Sequence, residues 1–171
     1  MSSMNGMDED RSNPGWHAIY TRHQHEKTVA EILSGKGFEV FFPVYAALHR
    51  WKDRTKSVSL PLFPSYVFIR GGLERRLQIL TTPGICEIVN VAGQAAVIPE
   101  AEIEDVRRMV ESFLHAEPHP FLKCGDRVRI KAGPLAGIEG ILLRKKSQMR
   151  LVLSVELLAK SVAVEIDASM V

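Results

Sequence analysis

The side chains able to do covalent or metal chemistry are few: two cysteines, Cys86 and Cys124, and six histidines. Neither cysteine has a partner at redox or metal spacing, and no export signal precedes them, so both read as reduced thiols of a cytoplasmic protein. His23 and His25 stand two positions apart, but two imidazoles without further ligands do not make a structural zinc site. A cysteine–histidine nucleophile pair needs a thiolate activated by a neighbouring base. No nucleophile motif, metal triad or phosphate loop accompanies these residues. The sequence thus predicts no enzyme, no metal and no cofactor. What remains is the chemistry of recognition: aromatic surface and charge.

The aromatic surface is concentrated in Leu60 to Arg70, LPLFPSYVFIR, which holds Phe63, Tyr66 and Phe68 together with Pro61 and Pro64. After Pro64 the chain alternates as a strand, with Val67 and Ile69 on one face and Tyr66, Phe68 and Arg70 on the other. Both faces are apolar, so the aromatic one must be covered by this chain or by a partner. The charge is small overall, +2, too little for a protein that coats nucleic acid. It is unevenly placed. Residues 50–76 carry Arg50, Lys52, Arg54, Lys56, Arg70, Arg75 and Arg76 against Asp53 and Glu74, whereas residues 100–111 are mainly acidic. Such a molecule suits a position between a polyanion and a larger partner.

These residues need elements to hold them. Residues 1–13 are polar and acidic and read as a disordered tail. Trp16–Thr21 is a strand of strong β formers, and Gln24–Lys36 is a helix ended by Gly35 and Gly37. Phe38–Pro43 is a second strand, and residues 44–59 suit a protruding hairpin or a long loop. Leu73–Leu80 reads as a short helix, Thr82-Pro83-Gly84 as a turn and Ile85–Val91 as a strand. Ile103, Val106, Val110 and Phe113 recur at helical spacing, predicting a helix over 99–113 with an acidic outer face. The order implies an α+β unit, an antiparallel sheet flanked by helices, over residues 14–114. Residues 115–121, with Pro118 and Pro120, read as a linker. Residues 122–171 then break into short strands at 127–131, 138–144, 150–153, 156–159 and 161–166, which predicts a small five-stranded β-barrel. No run approaches the length of a membrane span.

The chain resembles the NusG family of transcription elongation and antitermination factors, from Trp16 to about Asp167. The matching pieces of the N-terminal, or NGN, domain are the Trp16 strand, Glu26, Phe38 to Pro43, Pro61-Leu62-Phe63-Pro64-Ser65-Tyr66-Val67-Phe68, Thr82-Pro83-Gly84-Ile85 and Ile98-Pro99. Those of the C-terminal KOW domain, an SH3-like barrel, are Gly125-Asp126-Arg127-Val128-Arg129-Ile130, Gly133-Pro134-Leu135-Ala136-Gly137, Gly140 and Val164-Glu165-Ile166-Asp167. Ser65 stands where the general factor usually has glycine, which resembles the specialised RfaH and UpxY antiterminators. Leu135 stands where the KOW turn more often has phenylalanine.

The resemblance implies an apolar depression, lined by Tyr20, Phe63, Tyr66 and Phe68, that docks on the β′ clamp helices of RNA polymerase. It implies a contact of Arg22, His23, Gln24 and His25 with the displaced non-template DNA strand, and a weaker one of Glu74, Arg75 and Arg76 with the β gate loop. Leu135 and Ile138 would form an exposed apolar KOW tip for Rho or a small-subunit ribosomal protein. The implied protein is a monomeric antitermination factor without a membrane partner. The general housekeeping factor is the neighbouring reading, and a ribosome-associated KOW protein that binds RNA is the reading from another class.

Overall fold

A computed structural model describes residues 14–171; the acidic tail expected over 1–13 lies outside the described residues. The first unit is a four-stranded sheet. β1 (Trp16–Thr21) lies at its centre and pairs antiparallel with β5 (Tyr66–Arg70) on one side and β6 (Ile85–Ile88) on the other. β2 (Glu39–Phe41) closes the β5 edge, giving the order β2-β5-β1-β6. Between β2 and β5 the chain leaves as a two-stranded ribbon, β3 (Val44–Arg50) with β4 (Thr55–Pro61). A small hairpin, β7 (Asn90–Val91) with β8 (Gln94–Ala95), follows β6.

The pleat separates two packed layers. Ile19, Val67 and Ile69 face α1 (Glu26–Gly35) and α2 (Arg76–Leu80), burying Val29, Leu33 and Ile79 with Phe38 and Ile88. Trp16, Ala18 and Phe68 point the other way, towards α3 (Glu100–Glu111), with its buried Ile103, Val106 and Met109. Both faces of β5 are therefore covered from within the chain along most of their length, as its double apolar pattern requires.

α3 ends sooner than its apolar spacing suggests. Ser112 caps it, and Phe113 takes φ 60°, the left-handed position that terminates helices. That turn throws the Phe113 ring outward, where it is 99% exposed, so it is no part of the apolar stripe. The acidic face of α3 is not wholly outer either. Glu102 and Asp105 are partly buried and line a cavity of about 230 Å³ with Glu139, Glu156, Lys123 and Arg127 of the second unit.

The second unit is a five-stranded antiparallel sheet in the order β10-β11-β12-β13-β9. Its strands are β9 (Ala116–His119), β10 (Asp126–Arg129), β11 (Glu139–Lys145), β12 (Gln148–Val155) and β13 (Lys160–Ile166). The number of strands is as the sequence implies, but their membership differs. The linker expected over 115–121 supplies β9, which pairs with β13. Pro118 is tolerated because β9 is an edge strand, where a missing N–H breaks no ladder on the outer side. Residues 156–159 are instead a 3₁₀ turn, Glu156–Leu158, closed by Ala159 at φ 49°.

Candidate functional site

Two proline turns build one end of the first unit. In Phe63-Pro64-Ser65-Tyr66 the Tyr66 amide donates to the Phe63 carbonyl at 3.1 Å, and Ser65 sits at φ 70°. In Thr82-Pro83-Gly84-Ile85 the Ile85 amide donates to Thr82 at 3.2 Å, and Gly84 sits at φ 92°. Proline second and a positive φ third is the pattern of a type II turn. Glycine suits that third position best, so Ser65 holds a left-handed conformation that costs a side-chain-bearing residue energy.

Both turns grip the junction of β1 and α1. The Ser65 carbonyl accepts from the Thr21 amide and the Gly84 carbonyl from the Arg22 amide, each at 2.8 Å. The remaining Ser65 amide donates to the Glu26 carboxylate, also at 2.8 Å. Glu26 is buried, and a buried carboxylate persists only when bonded. This gives Glu26 a positioning role that sequence reading noticed only as a matching residue. The junction so fixed presents Arg22, His23, Gln24 and His25, all exposed. His23 and Gln24 also edge a groove of about 1190 Å³ between α1 and the base of the β3–β4 ribbon. Val40, Phe42 and Leu60 supply apolar lining there, and Lys27 adds a cation.

Beside this junction the aromatic face reaches solvent. Tyr20 and Tyr66 pair across β1 and β5, with ring centroids 5.5 Å apart at 53°. Tyr20 is 39% exposed, and Glu87 lies opposite it on β6. The Tyr66 hydroxyl is pushed above the ordinary phenol value, first by burial and then by the Tyr20 and Glu87 charges. An amphipathic rim results: two phenol rings with a carboxylate next to them.

Phe63 and Phe68 do not share that rim. They are 2% and 0% exposed and meet edge-on at 5.4 Å. The expectation that all four aromatics line an open depression is corrected on this point, because Phe63 and Phe68 belong to a continuous apolar cluster. That cluster runs from the sheet through α3 into the barrel core.

The same cluster corrects the expected exposed KOW tip. Leu135 is 0% and Ile138 2% exposed. Arg108 of α3 donates from Nη2 to the carbonyls of Pro134 and Ala136, both at 2.9 Å, so it spans the residue between them. An apolar loop beside an apolar helix buries its side chain when its backbone carbonyls find donors, and Arg108 provides them. Sequence reading took residues 100–111 as mainly acidic and gave Arg108 no role, although a cation on a mainly acidic amphipathic helix was a usable signal.

The short helix expected to meet a gate loop is partly committed internally. Arg75 donates to the Lys36 carbonyl at 2.8 Å and lies 3.8 Å from the centroid of the Phe38 ring, whereas Glu74 and Arg76 are exposed. Cys86 and Cys124 are free and exposed. Among the described residues, no group of three or more His, Cys, Asp or Glu is placed to hold a metal ion. No helix among them is long and apolar enough to cross a membrane.

Known proteins resemble this chain in sequence and fold. Residues 14–107 match the family model described as "Transcription termination factor nusG". The chain is 24% identical to the transcription termination/antitermination protein NusG of two Helicobacter pylori strains, over 91% of this chain and 96% of each relative. A solved structure titled "Domain interaction in Thermotoga maritima NusG" superposes with a TM-score of 0.57 at 18% identity, covering 91% of this chain and 94% of that one. At that identity the likeness shows the fold.

Proposed function

The chain belongs to the NusG family of transcription termination and antitermination factors, and from that premise we propose that it is a non-enzymatic elongation factor that holds RNA polymerase through the Tyr20–Tyr66 rim. The surface that meets the β′ clamp helices is this rim with Glu87, and Phe63 and Phe68 form the packed floor behind it. The observation that carries the reading is the pair itself: two phenol rings at 5.5 Å, Tyr20 exposed and Tyr66 partly so, at the end of an otherwise covered sheet face. Tyrosines combine a large apolar body with a polar tip and are frequent anchors of protein interfaces.

The exposed Arg22, His23, Gln24 and His25 are the contact with the non-template strand. Arginine and histidine pair with phosphate. The apolar groove edged by His23 and Gln24 suits an unpaired base. Glu74 and Arg76 remain available to a β gate loop, and Arg75 serves mainly to hold the short helix. The barrel recruits the second machine, ribosome or Rho, through Leu135 and Ile138 once the tip leaves α3.

Ser65, where the general factor usually has glycine, supports a specialised antiterminator, and the general housekeeping factor is the second reading. The test is transcription by purified polymerase on templates carrying pause sites and terminators. Added protein shortens pauses and raises read-through. Unchanged pausing and read-through would overturn the reading. Occupancy confined to a few operons would mark the specialised type, and occupancy across most operons the general one.

A further inference from the structure

The β3–β4 ribbon carries a feature that the reading above does not use. The two strands pair only with each other, and the register brings His49 opposite Lys56 and Arg50 opposite Thr55. A two-residue turn, Lys52-Asp53, closes the ribbon through the bond from the Trp51 amide to the Arg54 carbonyl, 2.8 Å. At this tip stands Trp51, 57% exposed. The other tryptophan, Trp16, is buried in the core. A large indole left in water at the end of a two-stranded arm has no packing purpose inside the chain.

The surroundings of Trp51 point to its ligand. His49 lies on the same face, its ring centroid 4.9 Å away at 63°, so it meets the indole edge to face. Strand alternation adds Lys56 and Arg54 to that face, Lys52 stands in the turn, and Arg50 lies on the opposite face of the narrow ribbon. Against these four cations stands the one carboxylate Asp53. None of the four enters an ion pair among the described residues. An apolar protein partner would not need four cations, and a duplex phosphate backbone would not need the indole. An aromatic plane ringed by cations fits one class of ligand, a strand whose bases are unpaired.

We propose that the β3–β4 tip is a second nucleic-acid site, separate from the start of α1, in which Trp51 stacks on an unpaired base while Arg54, Lys56 and their neighbours hold the flanking phosphates. His49 orients the indole through its edge contact. The site requires neither polymerase docking nor the Tyr20–Tyr66 rim, so it stands or falls by itself.

The test uses the whole chain and a labelled oligothymidylate of about 15 nucleotides, a length matching common single-strand sites. A uridylate of the same length and a mixed-sequence duplex are run alongside. Stacking quenches the emission of exposed Trp51; in Trp51→Phe the remaining buried Trp16 shows no quenching. Trp51→Ala weakens single-strand binding roughly tenfold, within the range for one lost base stack. Replacing Arg54 and Lys56 together by alanine flattens the salt dependence by about 1.4 logarithmic units per unit, for two lost contacts. Thymidylate and uridylate binding that both need Trp51 leave the proposal standing for either strand chemistry. It is overturned if Trp51→Ala binds the single strands as tightly as the parent chain. It is equally overturned if the duplex competes on equal terms and the indole emission does not change. Trp51 is exposed at a turn, so its replacement leaves folding intact, and the thermal transition checks this.

Discussion

Arg108→Ala isolates the contact that keeps the barrel tip on α3. The arginine makes two charge-assisted bonds to the Pro134 and Ala136 carbonyls, one exposed and one partly buried. A bond to a charged donor is worth about 1.5–3 kcal/mol when buried, and exposed ones far less. Taking the partly buried bond at the low end of that range, with a small addition for the exposed one, gives about 1.5–2 kcal/mol. That moves the balance between docked and released tip by roughly 10–30-fold. The lost bonds join α3 to the Pro134–Ala136 loop, so the change falls on the interface between the two units. Methyl NMR reads it directly. The Leu135 and Ile138 methyl resonances shift towards solvent-exposed values in Arg108→Ala, while those of Val67 and Ile69 stay in place. Arg108→Lys keeps the charge and several donors on one nitrogen, but on a flexible stem without the planar guanidinium, and falls in between. Unchanged Leu135 and Ile138 resonances in Arg108→Ala would refute the reasoning, since the tip would then be held by apolar packing alone.

Four further outcomes are expected. Glu26→Ala leaves the Ser65 amide without its acceptor and costs about 1.5–3 kcal/mol, lowering the thermal midpoint by about 5 °C. Ser65→Gly keeps that bond and relieves the left-handed side chain, so it does not lower the midpoint. Phe68→Ala empties a fully buried site and costs about 3–5 kcal/mol; chemical denaturation reads it, and any loss of polymerase binding in that variant reports folding. Burial, with Glu156 and Asp105 nearby, holds the Glu102 carboxyl above its ordinary value, only partly offset by a bond from the Glu156 backbone. The folded state then binds that proton more tightly than the unfolded chain, so stability falls as pH rises through the raised value. Glu102→Gln removes this penalty and so raises the thermal midpoint at neutral pH. The gain vanishes below about pH 4, where the carboxyl is protonated in both states.

The elements legible in the sequence were those set by local pattern. Trp16–Thr21, rich in β formers, is β1; Tyr66–Arg70, apolar on both faces, is β5 between two layers. Lengths blurred where tertiary partners decide. Pro118 reads as a linker residue until β13 offers an edge to pair with. Glu156–Ala159 has strand-forming neighbours, yet a left-handed Ala159 turns it. Among the candidate site residues, Tyr20 and Tyr66 were readable as a same-face pair once the strands were placed. The burial of Phe63, Phe68, Leu135 and Ile138 was not, because all four depend on where α3 and the barrel lie in space. Leu135 stands among small residues in Gly133-Pro134-Leu135-Ala136-Gly137, and its burial reflects the apolar cluster it joins and the bonds that Arg108, 27 positions earlier in the chain, makes to the carbonyls on either side.

The central claim is that the Tyr20–Tyr66 rim holds polymerase. The most direct measurement is the affinity of the whole chain for a β′ clamp-helix fragment, compared with Tyr66→Ala and Tyr20→Ala at matched thermal stability. Each lost phenol ring removes a desolvated anchor worth roughly 1.5–3 kcal/mol, so each variant should bind about 10–150-fold more weakly while remaining folded. Two folded variants that bind as tightly as the parent chain would contradict the claim.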